Sequence, residues 1–351
     1  MIMAGGTGGH IFPALAVADH LRERGCTVVW LGSRAGMEAQ LVAPRGYTMA
    51  WIHFSGVRGK GWLRIATLPA ELLVAFWESA KAIFAHRPDA LLGMGGYVSF
   101  PGGMMAALLN RPLAVHEQNS VPGFANRVLA KLADRVLAGF PDAFGPLTAV
   151  IWTGNPVRSD IASLPAPEGR YAGRTGGLNL LVVGGSQGAQ ILNTVVPEAL
   201  ALLPASARPV VTHQAGAARR VDVSKRYENH GIAAEVVEFI DDMARRYAEA
   251  DVIVCRAGAS TIAELAAAGV ASVLVPYPHA VDDHQTANAR FLAGRDAALL
   301  VPQREFTAQR LSEILAGFTR ERLLAMARSA RAAGKPDATR AVAEICLELA
   351  G

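Results

Sequence analysis

Cysteine is nearly absent. The 351 residues hold three, at positions 26, 255 and 346, too far apart to form a C-x-x-C pair. That excludes a disulfide framework and a structural zinc site of that type. Aromatics make up 7% and no run of Lys and Arg occurs, so a nucleic-acid groove is excluded and no nucleic-acid partner is expected. Charged residues are only 18% against 51% hydrophobic, too few for a disordered or coiled-coil chain. No basic residue precedes Arg22, so a cleaved signal peptide is not expected. The longest charge-free stretch, Ala90 to Asn110, matches a bilayer in length. Gly93, Gly95, Gly96, Pro101, Gly102 and Gly103 interrupt it, and it reads as strand, loop and helix start in a soluble protein.

Three signatures of cofactor chemistry are missing as well. There is no G-x-x-x-x-G-K-[ST] loop, which argues against ATP hydrolysis. The dinucleotide pattern G-x-G-x-x-G fails because Ile11 stands where the third Gly belongs, and Leu31-Gly32-Ser33-Arg34 supplies no ribose-binding acid after the second strand. No D-x-D occurs, and the pairs Asp241-Asp242 and Asp282-Asp283 are adjacent. Adjacent carboxylates diverge and read as solvated or capping, so no metal and no cofactor is expected.

Glycine and charge asymmetry are what the chain does have. Its 35 Gly show no collagen-like period, which places them at tight loops. The net charge of +4 lies wholly in residues 1–155, where 13 Lys and Arg face 9 Asp and Glu. Short apolar runs alternate with longer stretches of helical period, the pattern of βαβ units and a parallel sheet. Strands are expected at 1–4, 27–31, 48–54, 90–92, 113–116 and 135–138. A second set falls at 178–183, 209–213, 234–238, 252–255, 272–275 and 298–301. Two helices, 308–333 and 337–349, are expected at the end.

Pro156, Pro165, Pro167 and four Gly between Asn155 and Gly177 read as a linker. The expected domains are 1–155, 156–335, and a C-terminal helix, 336–351, packing back on the first. An internal echo supports the division. Gly5-Gly6-Thr7-Gly8-Gly9 and Gly184-Gly185-Ser186-Gln187-Gly188 both fit G-G-[ST]-x-G, each between a strand and a helix. Two Rossmann-like domains facing one cleft account for it.

Gly-rich loops that open helices set backbone N–H groups and a positive helix end against an anion, although either loop alone is also an ordinary tight turn. His10 closes the first loop, and a base there needs reach to a hydroxyl. His116-Glu117-Gln118-Asn119 ends a strand, where α/β sheets bind ligands. Glu264 stands in a helix after the small-residue turn that follows Cys255-Arg256; it is either a solvated carboxylate or a group accepting both hydroxyls of a ribose. Trp62, Leu72, Phe76 and Trp77, with Arg58, Lys60, Arg64, Lys81 and Arg87, form either an inward-packed amphipathic helix or a membrane-surface patch.

Together these motifs resemble the MurG family of bacterial peptidoglycan glycosyltransferases. The likeness rests on Gly5–His10, Gly93–Ser99, His116–Asn119, Gly154–Arg158, Gly184–Ala189, Phe239–Met243, Arg256–Glu264 and Pro336–Thr339, in order along the whole chain. It implies the GT-B architecture. The implied reaction is inverting transfer of GlcNAc from UDP-GlcNAc to the 4-hydroxyl of the MurNAc unit of undecaprenyl-linked lipid I, giving lipid II. The expected location is peripheral, on an anionic membrane surface at the cytoplasmic face.

By the same resemblance His10 and Glu117 are catalytic, Ser186 and Arg158 hold the diphosphate, and Ile240 meets the uracil through its backbone. Glu264 takes the ribose, and Ala259, Gln285, Asn288 and Asn119 surround the GlcNAc. Ser260, Thr261, Ile262 and Ala263 complete the donor side. Thr7, Gly8 and Gly9 line the acceptor side with His10 and reach the donor. The segment 279–285 is one residue longer than the family pattern, so His284 competes with Gln285. The alternatives are a UDP-GlcNAc 2-epimerase, a transferase to another lipid acceptor, and a non-catalytic nucleotide-sugar-binding protein.

Overall fold

The computed structural model describes residues 1–56, 62–147, 149–185 and 188–351. Two units of α/β structure emerge: Met1–Arg158 with Pro336–Gly351, and Ser159–Lys335.

The first unit carries a seven-stranded parallel sheet. Its strands are β1 (Ile2–Met3), β2 (Val29–Ser33), β3 (Thr48–Ile52), β4 (Leu91–Gly93), β5 (Leu113–Glu117), β6 (Arg135–Ala138) and β7 (Val150–Trp152), in the order 3-2-1-4-5-6-7. Side chains alternate between two cores because successive residues of a strand point to opposite faces. Ile2, Trp30, Leu92 and Ala114 pack on one side with the helix Gly8–Glu23. Met3, Leu31, Leu91 and Leu113 pack on the other with the helix Trp62–His86. Val342, Ala343 and Cys346 of the C-terminal helix Ala338–Ala350 join the first of these cores, and Thr339 Oγ1 donates to the Val157 carbonyl at 2.9 Å.

The second unit repeats the plan with β8 (Asn179–Val183), β9 (Val210–Gln214), β10 (Ala234–Val237), β11 (Val252–Cys255), β12 (Ala271–Leu274) and β13 (Ala298–Leu300). All neighbours are parallel, in the order 10-9-8-11-12-13. The stretch read as linker is fastened to this unit. Arg174 pairs with the fully buried Asp251 at 2.5 Å, and Arg170 donates to the carbonyls of Tyr247, Ala268 and Gly269. A buried carboxylate needs such partners, since desolvation without them costs several kcal/mol.

Two expectations are corrected. β7 went unread because three half-exposed residues at a sheet edge carry no periodicity. The helix expected over 308–333 is two, Ala308–Ala316 and Arg320–Ala333, split at Gly317. Thr319 starts the second by accepting the Arg322 N–H. Among the described residues no helix is long and apolar enough to cross a membrane.

Candidate functional site

In a doubly wound sheet the chain reverses its winding direction between two strands, and ligands bind beyond the carboxyl ends of those strands. Here the reversals fall between β1 and β4, and between β8 and β11. Both Gly-rich loops lie there.

In the second unit, β8 runs into Gly184 and Gly185, and the helix Gln190–Ala201 follows. Gly188 has φ +71°, and a Cβ there would strike the Ala215 carbonyl, so only glycine fits this turn. A cavity of about 490 Å³ opens above, lined by Gly184, Gly185, Gly188, Arg256, Thr261 and Gln285 among others.

Arg256 follows β11 directly. Its guanidinium donates to the carbonyls of Val275 and Pro276 and to Gln303 Oε1 at 2.7 Å, and it lies 5.4 Å from the centroid of the Tyr277 ring. The result is a fixed cation in the cavity wall. The sequence reading gave Arg256, Tyr277 and Gln303 no role. The available signal was position: each stands just past the carboxyl end of a strand.

The helix Ala259–Ala268 starts at Gly258, with no side chain capping it. Thr261 lines the cavity, and Glu264, three residues on, shares its face. Tyr247 donates its hydroxyl to Glu264 Oε2 at 2.8 Å. Gln285 reaches the cavity, its Oε1 accepting the Tyr277 N–H, while His284 turns Nδ1 to the Val281 carbonyl. Ile240 is buried beside the exposed Phe239, and Asp242 caps the next helix by accepting the Arg245 N–H. Ala259 is buried and Ser260 and Ala263 are half-buried. Ser186 lies outside the described residues.

Two of the residues expected on the donor side are buried. Asn288 is fully buried and donates to the Ala257 carbonyl, so it braces the turn from behind. Ile262 belongs to the core of the helix, 1% exposed.

In the first unit Thr7 precedes the helix Gly8–Glu23 in extended conformation, without a side-chain cap. Its carbonyl accepts the N–H of His10 and Ile11. Thr7 and Gly9 are exposed, Gly8 and His10 half-buried. His10 Nδ1 lies 2.8 Å from Gln118 Oε1 at the end of β5. Gln118 continues to His116, whose burial pushes its ring down to about 4.

Glu117 is tied into its own loop. It is buried, and its oxygens accept the N–H groups of Asn119 and Gly123 and the Asn126 amide. That carboxylate holds the loop together. Arg158 is half-buried, at the end of this unit.

The helix Trp62–His86 divides its apolar residues between two faces. Leu72 is partly buried against the core and Phe76 stacks 6.2 Å from Phe100. Leu73, Val74, Trp77 and Phe84 are the residues that turn outward, Trp77 with 71% of its surface exposed. The side chains of Trp62 and Arg64, and all of Arg58 and Lys60, lie outside the described residues.

Residues 1–138 match the glycosyltransferase family 28 N-terminal domain and 179–342 its C-terminal domain. The UDP-N-acetylglucosamine–N-acetylmuramyl-(pentapeptide) pyrophosphoryl-undecaprenol N-acetylglucosamine transferase of Cupriavidus metallidurans is 59% identical, over 100% of this chain and 98% of its own. The crystal structure of Acinetobacter baumannii MurG superposes with a TM-score of 0.87 at 39% identity, covering 99% of each chain. A UDP-GlcNAc 2-epimerase from Neisseria meningitidis superposes at 0.67 over 99% of each chain with 13% identity, a likeness of fold alone.

Proposed function

The chain belongs to the MurG family of family-28 glycosyltransferases, and on that premise we infer that it moves N-acetylglucosamine from UDP-GlcNAc to the 4-hydroxyl of the MurNAc unit of lipid I, forming lipid II. It is an N-acetylglucosaminyltransferase of peptidoglycan synthesis with two Rossmann-like GT-B domains. The observation that carries the site assignment is the cavity at the carboxyl ends of β8 and β11, where a Gly-rich turn meets the fixed Arg256.

The donor diphosphate sits over that turn, held by Ser186, by the start of the helix Gln190–Ala201 and by the Arg256 guanidinium, and the family resemblance assigns Arg158 to the same group. The uracil meets the Ile240 backbone. Glu264 accepts the ribose hydroxyls, and Thr261, Gln285, Ala259 and Asn119 border the GlcNAc. The acceptor lies against Thr7, Gly8 and Gly9. His10 takes the proton of the 4-hydroxyl as its oxygen attacks the anomeric carbon. The bond from that carbon to the diphosphate oxygen breaks with its electron pair, so UDP leaves and the configuration inverts in one displacement. Proton transfer of this kind contributes ~10²–10⁴-fold to rate.

The lipid acceptor stays in the bilayer, so its sugar is reached only at the surface. The outward stripe of Leu73, Val74, Trp77 and Phe84 beside Lys81 and Arg87 suits the anionic leaflet on the cytoplasmic face, each cation adding about 1 kcal/mol. The test of the reaction is the product. Incubation with UDP-GlcNAc and a short-chain lipid I analogue should yield a β-1,4-linked disaccharide by NMR coupling constants. An α-linked product would overturn single displacement.

A further inference from the structure

Four polar groups of the first unit form one hydrogen-bonded line, and its direction is fixed from one end. The Gly154 carbonyl only accepts, so His116 Nε2, 3.0 Å away, carries a hydrogen. His116 is wholly buried and stays neutral. With its single ring hydrogen on Nε2, its Nδ1 is bare and must accept. The Gln118 atom 3.1 Å from that Nδ1 is therefore the amide nitrogen, which also donates to the His116 carbonyl at 3.2 Å. The other end of the amide, Oε1, then faces His10 Nδ1 at 2.8 Å and only accepts. His10 must carry its hydrogen on Nδ1, and a neutral ring then leaves Nε2 bare.

We propose that Gln118 is the positioning residue that holds the His10 imidazole in the Nδ1–H form, leaving on Nε2 the lone pair that a base requires. This rests on the assignment of His10 as base above. Two features keep the line in place. Asn155 Nδ2 donates to the Gln118 carbonyl at 2.9 Å and is itself buried. Gly95, at φ +89°, leaves the room, because a Cβ there would stand 2.7 Å from His10 Nδ1 and 3.3 Å from Gln118 Oε1. An amide in this place orients the ring without the charge that would favour its protonated form. A carboxylate would orient it equally well and hold it protonated at higher pH.

The other titratable and charged groups on the surrounding elements are accounted for. His116 lies beyond the amide, and Glu117 is spent on Asn119, Gly123 and Asn126. Tyr97 lies over Gly6 and Glu38 sits beneath Gly5. Asp19, His20, Glu23 and Arg22 are at the far end of the helix that His10 opens, and the C-terminal helix contributes Arg340, Glu344 and Glu348.

The test has two arms. First, a long-range proton–nitrogen spectrum of the ¹⁵N-histidine-labelled wild type, with His10 assigned by its loss in His10→Asn, reads the tautomer without perturbing the fold. Nδ1 protonated and Nε2 bare is expected; a hydrogen on Nε2 overturns the proposal. Second, kcat against pH is measured with UDP-GlcNAc and a short-chain lipid I analogue. Gln118→Glu should move the acidic limb upward by about one pH unit or more, as an opposite charge beside an imidazole does. Gln118→Leu should lower kcat at least ten-fold, with the UDP-GlcNAc KM within two-fold. A Gln118→Glu profile superimposable on the wild type also overturns it. Failure of the base assignment shows separately, as full kcat in His10→Ala.

Discussion

Removing the Glu264 carboxylate should weaken donor binding by an amount that follows from its surroundings. Its Oε2 accepts the Tyr247 hydroxyl at 2.8 Å, which orients the carboxylate. A hydrogen bond to a charged group contributes ~1.5–3 kcal/mol, so Glu264→Ala should raise the dissociation constant for UDP-GlcNAc about 10- to 150-fold. The alanine also removes the hydrogen bond from Tyr247, costing ~1 kcal/mol of stability and about 2–4 °C in melting temperature. Glu264→Gln separates the two effects: it retains an acceptor for Tyr247 and loses only the charge, so binding should fall while melting temperature holds. A dTDP sugar lacks one of the two hydroxyls, so the preference for UDP should shrink in both variants. Calorimetry with each nucleotide sugar measures all of this. Dissociation constants within two-fold of wild type for both variants would refute the ribose assignment.

Three further outcomes are expected. UDP-GlcNAc should bind undiminished in EDTA, because the chain has no D-x-D and, among the described residues, no three His, Cys, Asp or Glu cluster as a metal site; binding that needs added magnesium would contradict this. Trp77→Ser with Phe84→Ser should reduce sedimentation with anionic vesicles and slow transfer to long-chain acceptors, sparing melting temperature and short-chain activity, because both rings face outward; unchanged vesicle binding defeats the membrane assignment. Stability should also decline in mild acid. His116 and His213 are held at about 4 and about 3 by burial, against an ordinary 6.5. Below pH 6.5 the unfolded chain takes up protons that the folded chain refuses until pH approaches those values, so stability falls across that window. The loss at pH 5 is about 2 kcal/mol per histidine, and equal urea midpoints at pH 7 and pH 5 would rule it out.

What was legible in the sequence follows from what its patterns encode. Strands with an apolar run could be placed, twelve of the thirteen among the described residues, and β7, three residues at the sheet edge, could not. The two glycine motifs marked the loops because tight turns beside an anion site restrict side chains. Faces were harder to assign. The helix Trp62–His86 carries apolar residues on more than one face, so only packing reveals that Ala75, Ser79 and Ile83 turn inward and Leu73 and Trp77 outward. The partners of polar residues were hidden too: Glu117, at the end of β5, accepts the Gly123 N–H, and Asn288, inside a helix, donates to the Ala257 carbonyl. Gln118 was hidden likewise, since its importance depends on His10, 108 residues away in the chain.

UDP release, followed with and without a short-chain lipid I analogue, tests the central claim most directly. The account predicts release of UDP that depends on the acceptor, with one N-acetylglucosamine transferred per UDP freed and no release or epimerised sugar in its absence. Release of UDP at the same rate without acceptor, or conversion of the donor sugar to its 2-epimer, would contradict it.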